Sequence, residues 1–189
     1  MSTAPRIFLT PEQYLDLERA AETRSEFHAG AIFAMAGGTA NHSTLASELI
    51  ILLGQQLRGR RCFIHGSDLR LYVPAGDLFT YPDLTVVCGE RRLLGNDCLL
   101  NPTLIAEVLS PSTEAYDRGQ KFENYQTIDS LQEYLLVAQD RPRLDLLTRQ
   151  PDHRWILSFA AGLNSELELP SIGCRLRLRD VYQNVDLPA

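Results

Sequence analysis

The stretch TLIAEVLSPS, residues 103–112, constrains this chain most, because it is an apolar run with one carboxylate, Glu107, near its middle. Alternate residues of a strand point to opposite faces, and here both faces are apolar apart from Glu107. Such a strand is typical of the covered centre of a sheet. An ionised carboxylate there is costly unless an arginine, a lysine or a metal ion meets it. We therefore predict a buried strand over 103–110 with a partnered acid.

A second carboxylate, Asp83, follows Pro82 at the start of a predicted strand over 83–88. Aspartate is also a common turn former at such a place. Two acids on neighbouring strands can hold one divalent ion, and oxygen ligands suit Mg²⁺ or Mn²⁺. A nearby lysine can orient the attacking water and offset charge in the transition state. Together, two acids, a divalent ion and a lysine can catalyse phosphodiester hydrolysis.

The lysine candidate lies on a helix predicted from about 114 to 128, after Pro111 stops the strand. Asp117, Lys121 and Tyr125 are spaced at i, i+4 and i+8 there and share one face. Asp117 and Lys121 could equally form an ordinary surface ion pair worth roughly 0.3–0.5 kcal/mol. Tyr125 could serve packing alone.

Two further polar residues lie upstream of these strands. Glu26 falls in a predicted hairpin over 25–35, where it could simply face solvent. His42 falls in the first turn of a long amphipathic helix predicted over 41–57, where histidine commonly caps a helix or packs in a core.

The order of the remaining elements indicates the fold class. A first helix begins with Thr10 as N-cap, Pro11 at the first position and Gln13 completing a capping box, and it runs to about residue 21. Further strands are predicted at 62–65, 68–73 and 133–139, with loops at 74–80 and 89–101. An antiparallel meander follows at 143–149, 154–160 and 165–169, and a short helix at 178–185. This order predicts an α/β (α+β) fold, a mixed β-sheet flanked by helices with a C-terminal antiparallel meander.

Length, net charge and hydropathy limit the number of domains, the partners and the location of the protein. The 189 residues fit a single domain spanning 1–189, with no repeat or linker. The net charge of −6 argues against extensive non-specific wrapping of nucleic acid but allows a local basic groove. No apolar run approaches the ~20 residues of a membrane span, and the N-terminus lacks a signal peptide. We therefore expect a cytoplasmic protein with no membrane association.

The four cysteines form no C-x-x-C pair, and most lie in apolar segments: Cys62, Cys88, Cys98 and Cys174. A zinc site or a disulfide framework is therefore unexpected, and we predict buried free thiols.

Four segments together resemble a known family: RSEFHAGAIFAMAGGTANHS, YPDLTVVCG, NPTLIAEVLSPSTEAYDRGQKFENY and LQEYLLVAQ. They are similar to the Uma-two family of restriction endonucleases, common in cyanobacteria and part of the PD-(D/E)XK nuclease superfamily. The resemblance extends from about residue 10 to residue 185. It implies the restriction-endonuclease-like fold, in agreement with the order of elements.

The resemblance also implies roles for individual residues. Asp83 matches the aspartate of the PD motif and Glu107 the acid of the (D/E)XK motif, with the backbone carbonyl of Val108 as a further metal ligand. The superfamily lysine would stand two residues after the acid, but that residue here is Leu109. In this family the lysine is taken to have moved to the following helix, where Lys121 matches it.

Glu26 matches an upstream acid that often completes the site. Asp117, Tyr125 and His42 match family-typical positions that support the site in a role we leave open.

The implied activity is Mg²⁺- or Mn²⁺-dependent hydrolysis of DNA, leaving a 5′-phosphate. A homodimer is plausible, because cutting both strands of a duplex usually takes two sites. The alternative is a non-catalytic nucleic-acid-binding or regulatory protein on a nuclease fold, since the chain is acidic and position 109 holds no lysine. A third alternative is hydrolysis of another phosphate ester or of a nucleic acid other than duplex DNA.

Overall fold

The computed structural model describes residues 8–35 and 37–187. Its helices are α1 (Pro11–Ala20), α2 (Ala40–Leu57), α3 (Glu114–Tyr116), α4 (Phe122–Tyr125) and α5 (Leu178–Val181), with a 3₁₀ turn at Pro74–Gly76 and a π-helical turn at Asp117–Lys121. Its strands are β1 (Ser25–His28), β2 (Ala31–Ala34), β3 (Cys62–Gly66), β4 (Arg70–Val73), β5 (Leu78–Thr80), β6 (Leu84–Cys88), β7 (Leu93–Leu94), β8 (Cys98–Leu99), β9 (Leu104–Leu109), β10 (Glu133–Ala138), β11 (Arg143–Arg149), β12 (Trp155–Ala161), β13 (Glu166–Leu169) and β14 (Cys174–Arg177).

The strands form two large mixed sheets and one hairpin. The first sheet has the order β2-β1-β5-β4-β8-β7, and the second has the order β12-β11-β10-β9-β6-β3. Neighbouring strands are antiparallel except for the parallel pairs β4–β8 and β9–β10. Strands β13 and β14 pair with each other. The predicted α+β class with a mixed sheet flanked by helices is confirmed.

The central strands of the second sheet, β9 and β10, are covered on both faces, which explains the apolar run around Glu107. Helix α2 packs Leu45, Leu49 and Leu53 against one face. Tyr125 and residues of the first sheet pack against the other. All six residues of β9 are buried, as predicted for a central strand. Because side chains alternate along the strand, Glu107 points to the face covered by the π turn and α4.

Local signals located several element boundaries correctly. Thr10 and Gln13 form the predicted capping box at α1. The hairpin β1–β2 turns at Ala29 and Gly30, both of which have positive φ. Helix α2 ends at Leu57. Of the three strands of the predicted meander, the antiparallel pairing of the first two is confirmed by β11 and β12.

Other boundaries differ from the prediction. The presumed loop 74–80 contains β5, and the presumed loop 89–101 contains β7 and β8. The strand predicted at 165–169 pairs with β14 rather than with β12. Strands β5, β7 and β8 have only two or three residues each, too few to show a periodicity that a sequence pattern could detect.

The prediction of four free thiols is wrong for two of them. Cys62 and Cys88 form a disulfide with their Cα atoms 4.1 Å apart, because β3 and β6 place them directly opposite each other. Their separation of 26 residues carries no signal, since only the strand register brings them together. Cys98 and Cys174 are buried free thiols, as predicted.

In the described part of the chain, no helix combines the length and apolar character needed to cross a membrane.

Candidate active site

The two predicted acids meet where β6 begins beside β9. Leu84 pairs with Ala106 in the antiparallel register, so Asp83 lies next to Glu107. Asp83 Oδ2 accepts a hydrogen bond from the backbone N–H of Val108 at 2.8 Å, and Glu107 Oε2 accepts one from the backbone N–H of Asp83 at 3.4 Å. Each carboxylate is thus held by the strand that carries the other.

Lys121 reaches back from the π turn to the buried acid. Its Nζ lies 2.9 Å from Glu107 Oε1, 3.5 Å from Asp117 Oδ1 and 3.6 Å from Glu26 Oε1. Burial of the ammonium works against its charge, but the three carboxylates outweigh this and raise the pKa of Lys121 well above its usual value. The side chain points at the carboxylates rather than into solvent, which is the geometry that a catalytic assignment for Lys121 requires.

The π turn supplies this geometry. Five residues, Asp117–Lys121, form it between the short helices α3 and α4. Single π turns inside helices occur often at functional sites, because they redirect neighbouring side chains. The hydroxyl of Tyr134 on β10 donates to the backbone carbonyl of Asp117 at 3.1 Å and so ties the turn to the sheet.

Tyr125, on the same helical segment, contacts the acid directly. Its hydroxyl donates to Glu107 Oε1 at 2.9 Å, and the side chain is fully buried. Burial and the charge of Glu107 raise the pKa of Tyr125 well above its usual value, so the hydroxyl stays a donor. Glu107 Oε1 therefore faces two donors, the Tyr125 hydroxyl and the Lys121 ammonium.

Glu26 lies on β1 beside Lys121. It accepts hydrogen bonds from the Thr80 hydroxyl and, at 3.5 Å, from the backbone N–H of Tyr81. With the 3.6 Å approach of Lys121, these contacts make Glu26 an anchor for the ammonium. The solvent-facing alternative for Glu26 does not fit this position.

His42 binds the outer side of the acid pair. Thr39 caps α2 and accepts from the backbone N–H of His42 at 3.1 Å, which fixes the first turn. His42 Nε2 lies 3.2 Å from Asp83 Oδ2. The hydrogen bond to Asp83 outweighs burial and raises the pKa of His42, which favours its charged form.

The site carries more negative than positive charge. Four carboxylates (Glu26, Asp83, Glu107 and Asp117) share one ammonium and one imidazole. Burial, opposed by Lys121 and reinforced by Asp83 and Asp117, raises the pKa of Glu107 to about 8. A bound cation would favour the ionised form of Glu107, because it compensates the neighbouring negative charges.

Asp83 and Glu107 supply carboxylate oxygens, the donor type that Mg²⁺ and Mn²⁺ prefer. Over residues 8–35 and 37–187, no group of three or more His, Cys, Asp or Glu side chains is spaced to hold a metal ion. Mg²⁺ typically needs only one or two carboxylates and completes its shell with water and substrate oxygens. The pair of acids meets that requirement, and a site built from three side chains does not occur in the described residues.

The open side of the site is defined by exposure. The side chains of Glu107, Asp117 and Lys121 are almost inaccessible, whereas those of Asp83 and His42 are 15% and 22% exposed. The side chain of Glu26 is similarly accessible at 17%, so Asp83, His42 and Glu26 form the accessible rim of the site.

Sequence reasoning missed Thr80 and Tyr134, which hold Glu26 and the π turn. The sequence predicts a loop at Thr80. It predicts Tyr134 only as part of a buried strand, although a buried tyrosine hydroxyl usually has a partner.

A solved structure shares the fold. The crystal structure of a putative nuclease belonging to DUF820 from Anabaena variabilis aligns with a TM-score of 0.75 at 19% identity, covering 93% of this chain and 98% of that one. The fold is therefore that of a nuclease-like α+β protein.

The chain belongs to the Uma2 family, described as "Putative restriction endonuclease", whose model matches residues 11–179. Two uncharacterized proteins of Synechocystis, slr1290 and sll1609, are each 39% identical. The matches cover 97% and 89% of this chain and 96% of each relative. The family resemblance predicted from the sequence is confirmed.

Proposed function

We propose that the protein is a Mg²⁺- or Mn²⁺-dependent endonuclease that hydrolyses DNA phosphodiester bonds. The observation that carries the proposal is the convergence of two carboxylates from adjacent strands with a buried lysine 2.9 Å from one of them. Membership of a family described as restriction endonucleases supports a nuclease, and DNA is the substrate that this description favours.

Asp83, Glu107 and the carbonyl of Val108 would hold the metal. When bound, the ion would polarise the scissile phosphate and lower the pKa of a coordinated water. Asp83 is oriented for this role by His42 and by the backbone N–H of Val108. Glu107 is oriented by the Tyr125 hydroxyl.

Lys121 would position the attacking water and stabilise negative charge on the phosphate. Its ammonium is kept charged by Glu107, Asp117 and Glu26, so it acts as a hydrogen-bond donor and not as a base. It therefore occupies the functional place of the lysine that position 109 lacks. Glu26 and Asp117 serve as its anchors, and cleavage would leave a 5′-phosphate.

We also propose that the chain acts as one domain. Leu71 and Leu78 of the first sheet share a hydrophobic cluster with Ile105 and Tyr134 of the second, so separating the sheets would expose that cluster.

A plasmid-nicking assay with Mn²⁺ tests the activity. Glu107→Gln and Asp83→Asn should abolish nicking, because each removes a charged ligand without changing side-chain size. Glu114→Gln is the matched control, since this acid lies on the exposed start of α3 and bonds Arg118. Thermal unfolding shows whether each variant is folded. Nicking that persists in folded Glu107→Gln and Asp83→Asn would rule the assignment out.

The alternative is a non-catalytic nucleic-acid-binding or regulatory protein. It is favoured by Leu109 at the usual lysine position and by the net charge of −6. Calorimetric titration with Mn²⁺ separates the two. Binding that is lost in Glu107→Gln supports the nuclease, and the absence of any binding supports the alternative.

A further inference from the structure

Strand β12 forms an exposed apolar edge of the second sheet. Its seven residues, WILSFAA, include no charged residue and no proline. Ile156, Leu157 and Phe159 are 54%, 56% and 60% exposed. An edge strand presents unpaired N–H and C=O groups, and proteins usually guard such edges with charges, prolines or a covering segment. Strand β12 itself carries neither a charge nor a proline to guard its edge.

The exposed side chains lie on both faces of the strand. Leu157 and Phe159 point to one face and Ile156 to the other, because side chains alternate. Single exposed apolar residues are ordinary, but a run of them along one free edge marks an interaction site. Leu163, just beyond the strand, is also exposed.

We propose that a second copy of this chain pairs antiparallel with β12, which joins the two second sheets into one continuous sheet. The pairing follows a twofold axis perpendicular to the sheet, the commonest symmetry of soluble homodimers. The proposal does not depend on the nuclease assignment.

Symmetry restricts the register. A perpendicular twofold axis keeps each residue on the same face in both copies, and directly paired residues must share a face. The axis therefore passes through a residue and not between two. Ser158 is the central residue of Trp155–Ala161, so an axis at Ser158 pairs all seven positions.

This register matches the side chains. Leu157 of each copy lies opposite Phe159 of the other, and Ile156 lies opposite Ala160. Ser158, which meets its own counterpart at the axis, is small enough for that position.

The charges near the strand also allow two acidic chains to meet there. Arg143 lies under Phe159, with its guanidinium carbon 4.5 Å from the ring centroid, and it donates to Asp145 at 2.8 Å. Arg118 shares Asp145 with it and also pairs with Glu114, so the two arginines and two acids balance within one chain. The paired strands themselves bring no like charges together, although each chain carries a net charge of −6.

The length of the strand selects β12 over the other edges of the two large sheets. Stable interfaces bury about 600–1,000 Å² per partner, so pairing along one strand needs a long apolar edge. Strand β12 has seven residues and three large exposed apolar side chains. The other edge strands, β2, β3 and β7, have four, five and two residues.

Sedimentation velocity tests the association. The wild type should sediment at twice the chain mass of 21.2 kDa. Leu157→Lys should raise the dimer dissociation constant at least ~10-fold, because symmetry places the new charge opposite Phe159 twice. Phe33→Lys on β2 is the matched control and should leave the dimer intact, since Phe33 is similarly exposed. A monomeric wild type, or a dimer broken by Phe33→Lys and not by Leu157→Lys, would overturn the proposal.

Oxidative cross-linking tests the register in full-length protein. Residues directly opposite each other in an antiparallel pair have Cα atoms about 4.5–5.5 Å apart, within the roughly 4.4–6.8 Å that a disulfide spans. Ser158→Cys should therefore cross-link to its own copy. Ile156→Cys should not, because its two copies would lie about 14 Å apart along the strands. Equal cross-linking of both variants, or of neither, would overturn the register.

Discussion

Replacing Glu107 with glutamine should remove much of the pH dependence of folding stability in buffer free of divalent ions. Glutamine has the shape of the protonated carboxyl and carries no charge. Burial raises the pKa of Glu107 to about 8, against 4.5 for the unperturbed side chain, and Lys121 offsets only part of this. The folded protein therefore keeps a proton on Glu107 that the unfolded chain has released.

The pH dependence of the free energy of unfolding follows from the difference in proton binding between the folded and unfolded states. Between pH 4.5 and about 8 the folded state binds more protons at Glu107 than the unfolded state, so the free energy of unfolding falls as pH rises. Each unit of pKa difference corresponds to about 1.4 kcal/mol, which gives at most about 5 kcal/mol over this window. Below pH 4.5 the contribution vanishes, because both states are protonated.

Urea unfolding with EDTA, from about pH 4.5 to pH 8.5, measures this effect. The wild type should lose up to about 5 kcal/mol more stability than Glu107→Gln across this range. Glu114→Gln, with its exposed acid, should follow the wild type. Adding Mn²⁺ at high pH should restore the stability of the wild type and leave Glu107→Gln unchanged. Parallel pH profiles for the wild type and Glu107→Gln would refute the reasoning.

Tyr125→Phe removes the hydrogen bond to Glu107 and should cost about 1–3 kcal/mol in urea unfolding and reduce nicking; unchanged values for both would contradict the role of the hydroxyl. Reduction of the Cys62–Cys88 disulfide should lower the free energy of unfolding by about 3.5 kcal/mol, because the bond closes a loop across 26 residues and limits the unfolded chain. A thiol assay on denatured protein should find two free thiols before reduction and four after, and four before reduction would contradict the bond. Leu49→Ala should cost about 2–5 kcal/mol, since Leu49 is fully buried under the second sheet, and a loss below 1 kcal/mol would contradict close packing there.

Much of the fold could be predicted from local patterns. The Thr10 capping box, the Ala29–Gly30 hairpin turn and the buried strand around Glu107 each depend on residues within one element. Short strands such as β7 and β8 could not be predicted, because two residues are too few to show a periodicity.

The residues of the candidate site could be predicted from the sequence, but the contacts among them could not. The resemblance pointed to Asp83, Glu107 and Lys121, and the structure brings them together. The position of Glu26 as an anchor for Lys121, and the contribution of Thr80, arise because the first sheet packs against the second. No spacing along the chain encodes that packing.

By itself, the amino-acid sequence determined that a carboxylate at position 107 must be buried and partnered, because the residues on either side of it are apolar. It could not decide among an arginine, a lysine and a metal ion as the partner. Only the tertiary structure supplied the lysine: the π turn aims the Lys121 ammonium at Glu107, and the strand register brings the backbone N–H of Asp83 to its other oxygen. The physical reason is that the cost of burying a charge depends on the local sequence, whereas its compensation comes from groups that only folding brings near.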